Sequence, residues 1–155
     1  MTEASEPIVS TPSASPNDAQ MELVLELRTI PLFKALGAES LVPVAAIASH
    51  VMFDAGDTIF VQGDEGDRLY VVSQGRVEIV KDAQRLALLA PGHSFGEMAL
   101  IESAPRSATA RCLDATKLLT IARDDFDDLL NLYPSIARAV AEVLAVRLRD
   151  AFAGR

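Results

Sequence analysis

The chain has no tryptophan, two tyrosines, two histidines and one cysteine in 155 residues. A single thiol, Cys112, excludes an internal disulfide and fits a reducing compartment. It falls on an expected strand, where a buried structural thiol is the reading. His50 and His93 lie in different expected elements and leave too few ligands for a histidine-built metal centre. The acids Asp124, Asp125, Asp127 and Asp128 lack the alternating ligands and central glycine of a calcium loop. No metal site is expected. Basic residues are also scarce, 14 Lys and Arg against 22 Asp and Glu for a net charge of -8, which argues against nucleic acid as a partner. The best apolar run, Leu41 to Phe53, is interrupted by Pro43, Ser49 and His50. It falls short of the ~20 residues that cross a bilayer, so no membrane insertion is expected. Residues 1–18 hold no Lys or Arg and no apolar core, so they are no secretory or mitochondrial signal and read as a flexible, acidic, Ser/Pro-rich tail. The expected localisation is cytoplasmic.

What the chain has is apolar patterning. At 50% hydrophobic it can bury one core. Asn17 or Asp18 is expected to cap a helix carrying Met21, Leu23, Val24 and Leu27, which Pro31 stops. A second helix is expected near Glu39 to Ser49, with Leu41, Val44, Ala45 and Ile47 as its apolar face. From Val51 to Ile121, short β-branched and aromatic runs are broken by Gly56, Gly63, Gly66, Gly75, Gly92 and Gly96, the pattern of an antiparallel all-β unit. Val77 and Ile79 alternate cleanly onto one face. The helical signal returns after Arg123, where aspartates favour a helix start. Pro134 opens a last helix with Ile136, Val140, Val143, Leu144, Leu148 and Phe152 at helical spacing.

The run Phe95 to Ala110 carries the functional signal. A Gly-Glu pair opens a short helix-forming stretch at Met98, Ala99 and Leu100, which offers backbone N–H groups to an anion, and Arg106 supplies fixed positive charge. Glu97 conflicts with a bare anion: a carboxylate ~6 Å from a phosphate at an effective dielectric of ~20 is repelled by roughly 3 kcal/mol. A ligand hydroxyl donating to Glu97, with the phosphate held by Arg106, resolves the conflict and describes a nucleotide better than a sulfate. Gly96 is placed to allow close backbone approach, and Thr109 reads as an ordinary strand residue.

This stretch resembles the phosphate-binding cassette of the cyclic nucleotide-binding domain family. The resemblance extends through Ile30-Pro31-Leu32-Phe33, Gly56-Asp57-Thr58-Ile59-Phe60, Gly63-Asp64-Glu65-Gly66-Asp67, Leu69-Tyr70-Val71-Val72, Gly75-Arg76-Val77 and Phe126. It implies a mainly β fold, an antiparallel β-roll or jelly roll with N-terminal helices, a short cassette helix and a C-terminal lid helix. On that basis the domain covers 19–155, with helices over 19–49, the roll over 51–122 and C-terminal helices over 124–153. The implied ligand contacts are Phe95, Gly96, Glu97, Met98, Ala99, Arg106, Ser107 and Ala108. Glu97 takes the ribose 2'-OH, Arg106 the cyclic phosphate, and the N–H groups of Gly96, Ala99 and Ala108 complete the cradle. Ser107 is read as a ligand contact that leaves the base open, with cAMP favoured over cGMP. Leu144, Leu148 and Phe152 are the residues named for a lid, and Arg147 and Arg149 either stack over the base or are solvated.

The implied function is a non-catalytic sensor with no cofactor, which relays ligand binding through its end helices to a separate effector protein or to a second copy of the chain. No helix-turn-helix, kinase, cyclase or channel segment is expected after the roll. A ligand-free interaction module that kept the fold is the alternative. A cupin-like metalloenzyme shares the roll's appearance and stands further off.

Overall fold

The computed structural model describes residues 16–153; the tail assigned to residues 1–18 lies mostly outside them. Helix α1 spans Pro16–Leu27 and α2 spans Ala38–Ala46. The strands are β1 Ser49–Phe53, β2 Thr58–Phe60, β3 Glu65–Gly66, β4 Arg68–Gln74, β5 Val77–Lys81, β6 Gln84–Leu89, β7 Ser94–Phe95, β8 Ala104–Pro105, β9 Thr109–Cys112 and β10 Thr116–Ala122. A 3-10 helix, Glu97–Leu100, separates β7 from β8, and α3 (Arg123–Leu132) and α4 (Pro134–Ala153) close the described chain.

All pairings are antiparallel, in two four-stranded sheets ordered β1-β10-β4-β7 and β2-β9-β5-β6 and a two-stranded ribbon of β3 and β8. The mainly β fold with flanking helices is therefore as the sequence implied. The first sheet is buried on both faces because β4 and β10 alternate between two cores. Leu69 and Val71 of β4 and Leu119 and Ile121 of β10 join a cluster with Leu27, Phe33, Leu41, Phe126 and Ile136 of the helical layer. Tyr70, Val72 and Leu118 point the other way, into a second cluster with Val77, Ala110 and Cys112 of the second sheet. Period-2 alternation allows one strand to serve both. Ile79 packs against that roll core with Val77, as the alternation indicated. Cys112 is 1% exposed, and burial pushes its thiol up from the ordinary range.

The turn between β4 and β5 carries Gly75 at φ +91, where a Cβ would stand 2.6 Å from both the Ala115 carbonyl oxygen and the Thr116 hydroxyl. Only glycine fits there. On β5, Glu78 faces the opposite side from Val77, nearly buried, and takes Arg111 at 2.7 Å and Arg85 at 3.1 Å. Hydrogen bonds from these two guanidinium groups hold its carboxyl below the usual carboxylate range.

Several boundaries differ from the sequence reading. Helix α1 begins at Pro16, so Asp18 sits inside its first turn, because proline suits a first helical position. It ends at Leu27, four residues before Pro31, with the Thr29 hydroxyl donating to the Glu26 carbonyl at 2.6 Å. Met21 is 57% exposed while Val24 and Leu27 are buried, so the helix's inner face is narrower than its apolar content. Helix α2 stops at Ala46, and Ser49 and His50 instead enter β1, where they pair with Thr120 and Leu119. Among the described residues no single helix is long and apolar enough to cross a membrane.

Candidate functional site

Two turns bring Arg106 to its place. Its backbone N–H donates to the Asp64 carbonyl at 2.6 Å, and its carbonyl accepts from Gly63 N at 2.8 Å, so the turn just before β3 holds the residue just after β8. The guanidinium lies 4.1 Å from the Phe60 ring centroid and 5.9 Å from that of Tyr70. Phe60, Tyr70 and Phe95 form an aromatic group with centroids 5.3 to 6.0 Å apart. The ring faces attract the cation. Nη2 donates to the Arg68 carbonyl at 2.8 Å, while Nε is buried with no hydrogen-bond partner among the described residues. Burial lowers the guanidinium's pKa from its ordinary value, against raising contributions from Tyr70, Asp67 and Asp64. It stays charged at any physiological pH.

Gly96 is favoured by its left-handed backbone, which L side chains rarely adopt, and the guanidinium and a backbone carbonyl crowd the space where a Cβ would go. At φ +73, a Cβ on Gly96 would stand 2.6 Å from Arg106 Nη1 and 3.1 Å from the Arg68 carbonyl oxygen. In this structure the group that stands close to this glycine is the Arg106 guanidinium. An open cavity of about 230 Å3 lies beside it, lined by Phe60, Gly66, Ile79, Phe95, Gly96, Met98, Ala99, Glu102, Ala104, Pro105, Arg106, Ser107 and Ala108. Seven of the eight residues named from the sequence as ligand contacts thus line one cavity. Phe60, Ile79, Glu102 and Ala104 also line it without having been given a ligand role: strand pairing brings the first two to the cavity, and the other two follow the 3-10 helix within the cassette itself.

Glu97, the eighth, does not line the cavity. Its Oε2 accepts from Arg147 Nη1 of α4 at 2.8 Å, and its Oε1 is buried without a partner among the described residues. Arg147, expected either over a base or in solvent, is therefore the residue through which α4 grips the cassette. Of the three side chains named for the lid, Leu144 packs against the helical core, while Leu148 and Phe152 are each 60% exposed. None of the three lines the cavity. The helical spacing located α4 and could not say which face meets the cassette. The N–H of Ala99, expected to be free for an anion, instead donates to the Gly96 carbonyl at 3.0 Å, because a 3-10 turn closes its hydrogen bond three residues back. His93 accepts from Ala90 N through Nδ1 at 3.0 Å in a turn, and His50 pairs with Glu26 at 3.0 Å. Among the described residues no three His, Cys, Asp or Glu side chains converge as metal ligands would.

The arrangement offers one part-buried cation at the cavity, whose Nε–H has no partner among the described residues, and a carboxylate oxygen of Glu97, likewise unpartnered among them, outside the cavity lining. The sequence matches the family described as "Cyclic nucleotide-binding domain" over residues 50–133. It is 37% identical over 126 residues to the cyclic AMP receptor protein of Thermus thermophilus, covering 78% of this chain and 58% of that protein. It is 38% identical over 99 residues to the cAMP-dependent protein kinase regulatory subunit of Yarrowia lipolytica, covering 64% of this chain and 26% of that one. The chain thus spans little more than half of one curated relative and about a quarter of the other. Among solved structures, the N-terminal domain of a transcriptional regulator from Streptomyces coelicolor superposes with a TM-score of 0.77 at 38% identity, covering 81% of this chain and 94% of that one.

Proposed function

The chain belongs to the cyclic nucleotide-binding domain family, and from that premise we propose that the cavity beside Arg106 holds a cyclic mononucleotide, cAMP in preference to cGMP. The observation that carries the reading is the pair of unpartnered buried atoms, Arg106 Nε and Glu97 Oε1, one a donor and the other an acceptor. A buried polar atom without a partner costs about 1–3 kcal/mol. A phosphate answers the donor and a ribose 2'-OH answers the acceptor. Ser107 lies on the same cavity and adds a hydroxyl for the phosphate or the base. The cAMP preference is supported by the relatives, two of which are named for that nucleotide.

Uptake requires movement. The cavity, at about 230 Å3, is smaller than the ~300–1,000 Å3 that encloses a typical ligand, and Glu97, held by Arg147, lies outside its lining. To reach a ribose, Glu97 must turn while Arg147 follows or releases it. In this mechanism Arg106 swings from the Phe60 face onto the phosphate, Glu97 moves to the ribose, and the Arg147 link carries the displacement into α4. The exposed Val146, Leu148 and Phe152 on α4 then offer an altered surface to a separate effector or to a second copy of the chain. The chain is in this reading a regulator and not a catalyst. Its buried thiol suits a cytoplasmic setting.

Glu97→Gln tests the ribose role. The parent is expected to prefer cAMP over 2'-deoxy-cAMP by roughly tenfold, the worth of one charge-assisted hydrogen bond. The variant is expected to lose most of that preference in competition titrations. Equal discrimination in parent and variant would remove Glu97 from the site. Competition by cGMP in the same titrations reads the base preference directly.

A further inference from the structure

Arg123 is the first residue of α3, a position where the helix dipole disfavours a cation and favours the aspartates that follow it. Its contacts supply the reason for its presence. The backbone N–H of Arg123 donates to the Asp67 carbonyl at 2.8 Å. Its Nη1 donates to the Gly66 carbonyl at 2.8 Å and to the Ala99 carbonyl at 3.3 Å. Gly66 belongs to β3 and Ala99 to the 3-10 helix, and both line the cavity. One half-buried guanidinium therefore ties two walls of the cavity to the start of α3. Three residues further on, Phe126 is fully buried in the helical core that also takes Ile136 and Val140 of α4.

We propose that Arg123 is a positioning residue that fixes the cassette helix against β3 and passes cassette movement into α3 and α4; only the second half of this statement rests on the cavity being a cyclic nucleotide site. A neutral residue at a helix start leaves α3 intact, since the dipole does not need the cation. It leaves the Ala99 and Gly66 carbonyls without the group that holds them together. The cassette then loosens while the helices stay folded.

The test is hydrogen–deuterium exchange on the full chain, parent beside Arg123→Ala, first without nucleotide. The amides of Ala99, Ile101 and Glu102 donate to Gly96 and Met98 carbonyls inside the cassette. Their exchange is expected to quicken about tenfold in the variant, while protection of α3 from Phe126 to Leu132 is unchanged. Parent-like exchange at those three amides would overturn the positioning role. With cAMP added, the parent is expected to show a change in α4, and the variant, which keeps the Arg147 link to Glu97, to bind about tenfold more weakly and to show a clearly smaller change in α4 at saturation. An α4 response equal to the parent's would overturn the transmission. If the parent takes up no cAMP, the reading of the cavity fails, and the nucleotide-free exchange still decides whether Arg123 positions the cassette. Should Arg123→Ala not fold, Arg123→Met is read in the same way, because it keeps an unbranched stem but has no donor for either carbonyl.

Discussion

Arg106→Ala is expected to weaken cAMP binding by about 2–5 kcal/mol, the range found when one partner of a buried charge pair is removed. That is a loss of roughly 30-fold to several thousand-fold in affinity. In the proposed complex the phosphodiester brings one negative charge into the cavity, and Arg106 is the cation among the residues that line it. Without it, the phosphate would have no cation among the cavity's lining residues, which include the acid Glu102. The fold is expected to survive. Arg106 belongs to neither hydrophobic cluster, and burial already disfavours its charge. Losing the contact with Phe60 and the bond to the Arg68 carbonyl costs stability, and relief of the buried charge offsets it. A melting temperature within a few degrees of the parent, with binding lost, is therefore the predicted signature. Unchanged affinity would place the phosphate elsewhere.

Phe126→Ala is expected to show the opposite separation, a large loss of stability from a residue that touches no ligand. Phe126 is 0% exposed, and its ring centroid lies 5.8 Å from that of Phe33. It packs in the core between α3, the N-terminal helices and the first sheet. Truncating a buried phenylalanine removes its transfer free energy and leaves a cavity, together about 3–5 kcal/mol. In a chain of this length each kcal/mol shifts the melting temperature by roughly 2–4 °C, so a fall of about 6–20 °C is expected in a circular dichroism melt. A shift under about 3 °C would mean that the helical layer contributes little to the cooperative unit. At a temperature where both proteins are folded, nucleotide affinity is expected to fall far less than in Arg106→Ala.

The cassette was legible in the sequence because its residues lie within a dozen positions and their chemistry is unusual together: a glycine before an acid, then an arginine after a proline. The glycine-broken strands were legible because strand signals are local: β5 alternates Val77 and Ile79 onto one face, and β4 is a short apolar run buried on both. Partnerships made by long side chains across the fold were not legible. Nothing near Glu97 announces Arg147, 50 positions away, and nothing near Arg123 announces Gly66 and Ala99. Such contacts depend on how a helix rotates on its core. The apolar spacing of α4 fixes that rotation only to within a face, which is why Leu144, Leu148 and Phe152 were named for a lid and Arg147 makes the contact. The engaged Ala99 N–H was missed for a related reason: a four-residue segment closes as a 3-10 turn when the chain must reverse tightly, and composition does not separate that from an α turn.

The most direct measurement is a calorimetric titration of the folded, nucleotide-free protein with cAMP. The account predicts saturable binding at one site per chain with a submillimolar dissociation constant, competed by cGMP. No heat of binding from demonstrably folded protein at millimolar cAMP would contradict it, and the chain would then be a member of its family that keeps the cavity without the ligand.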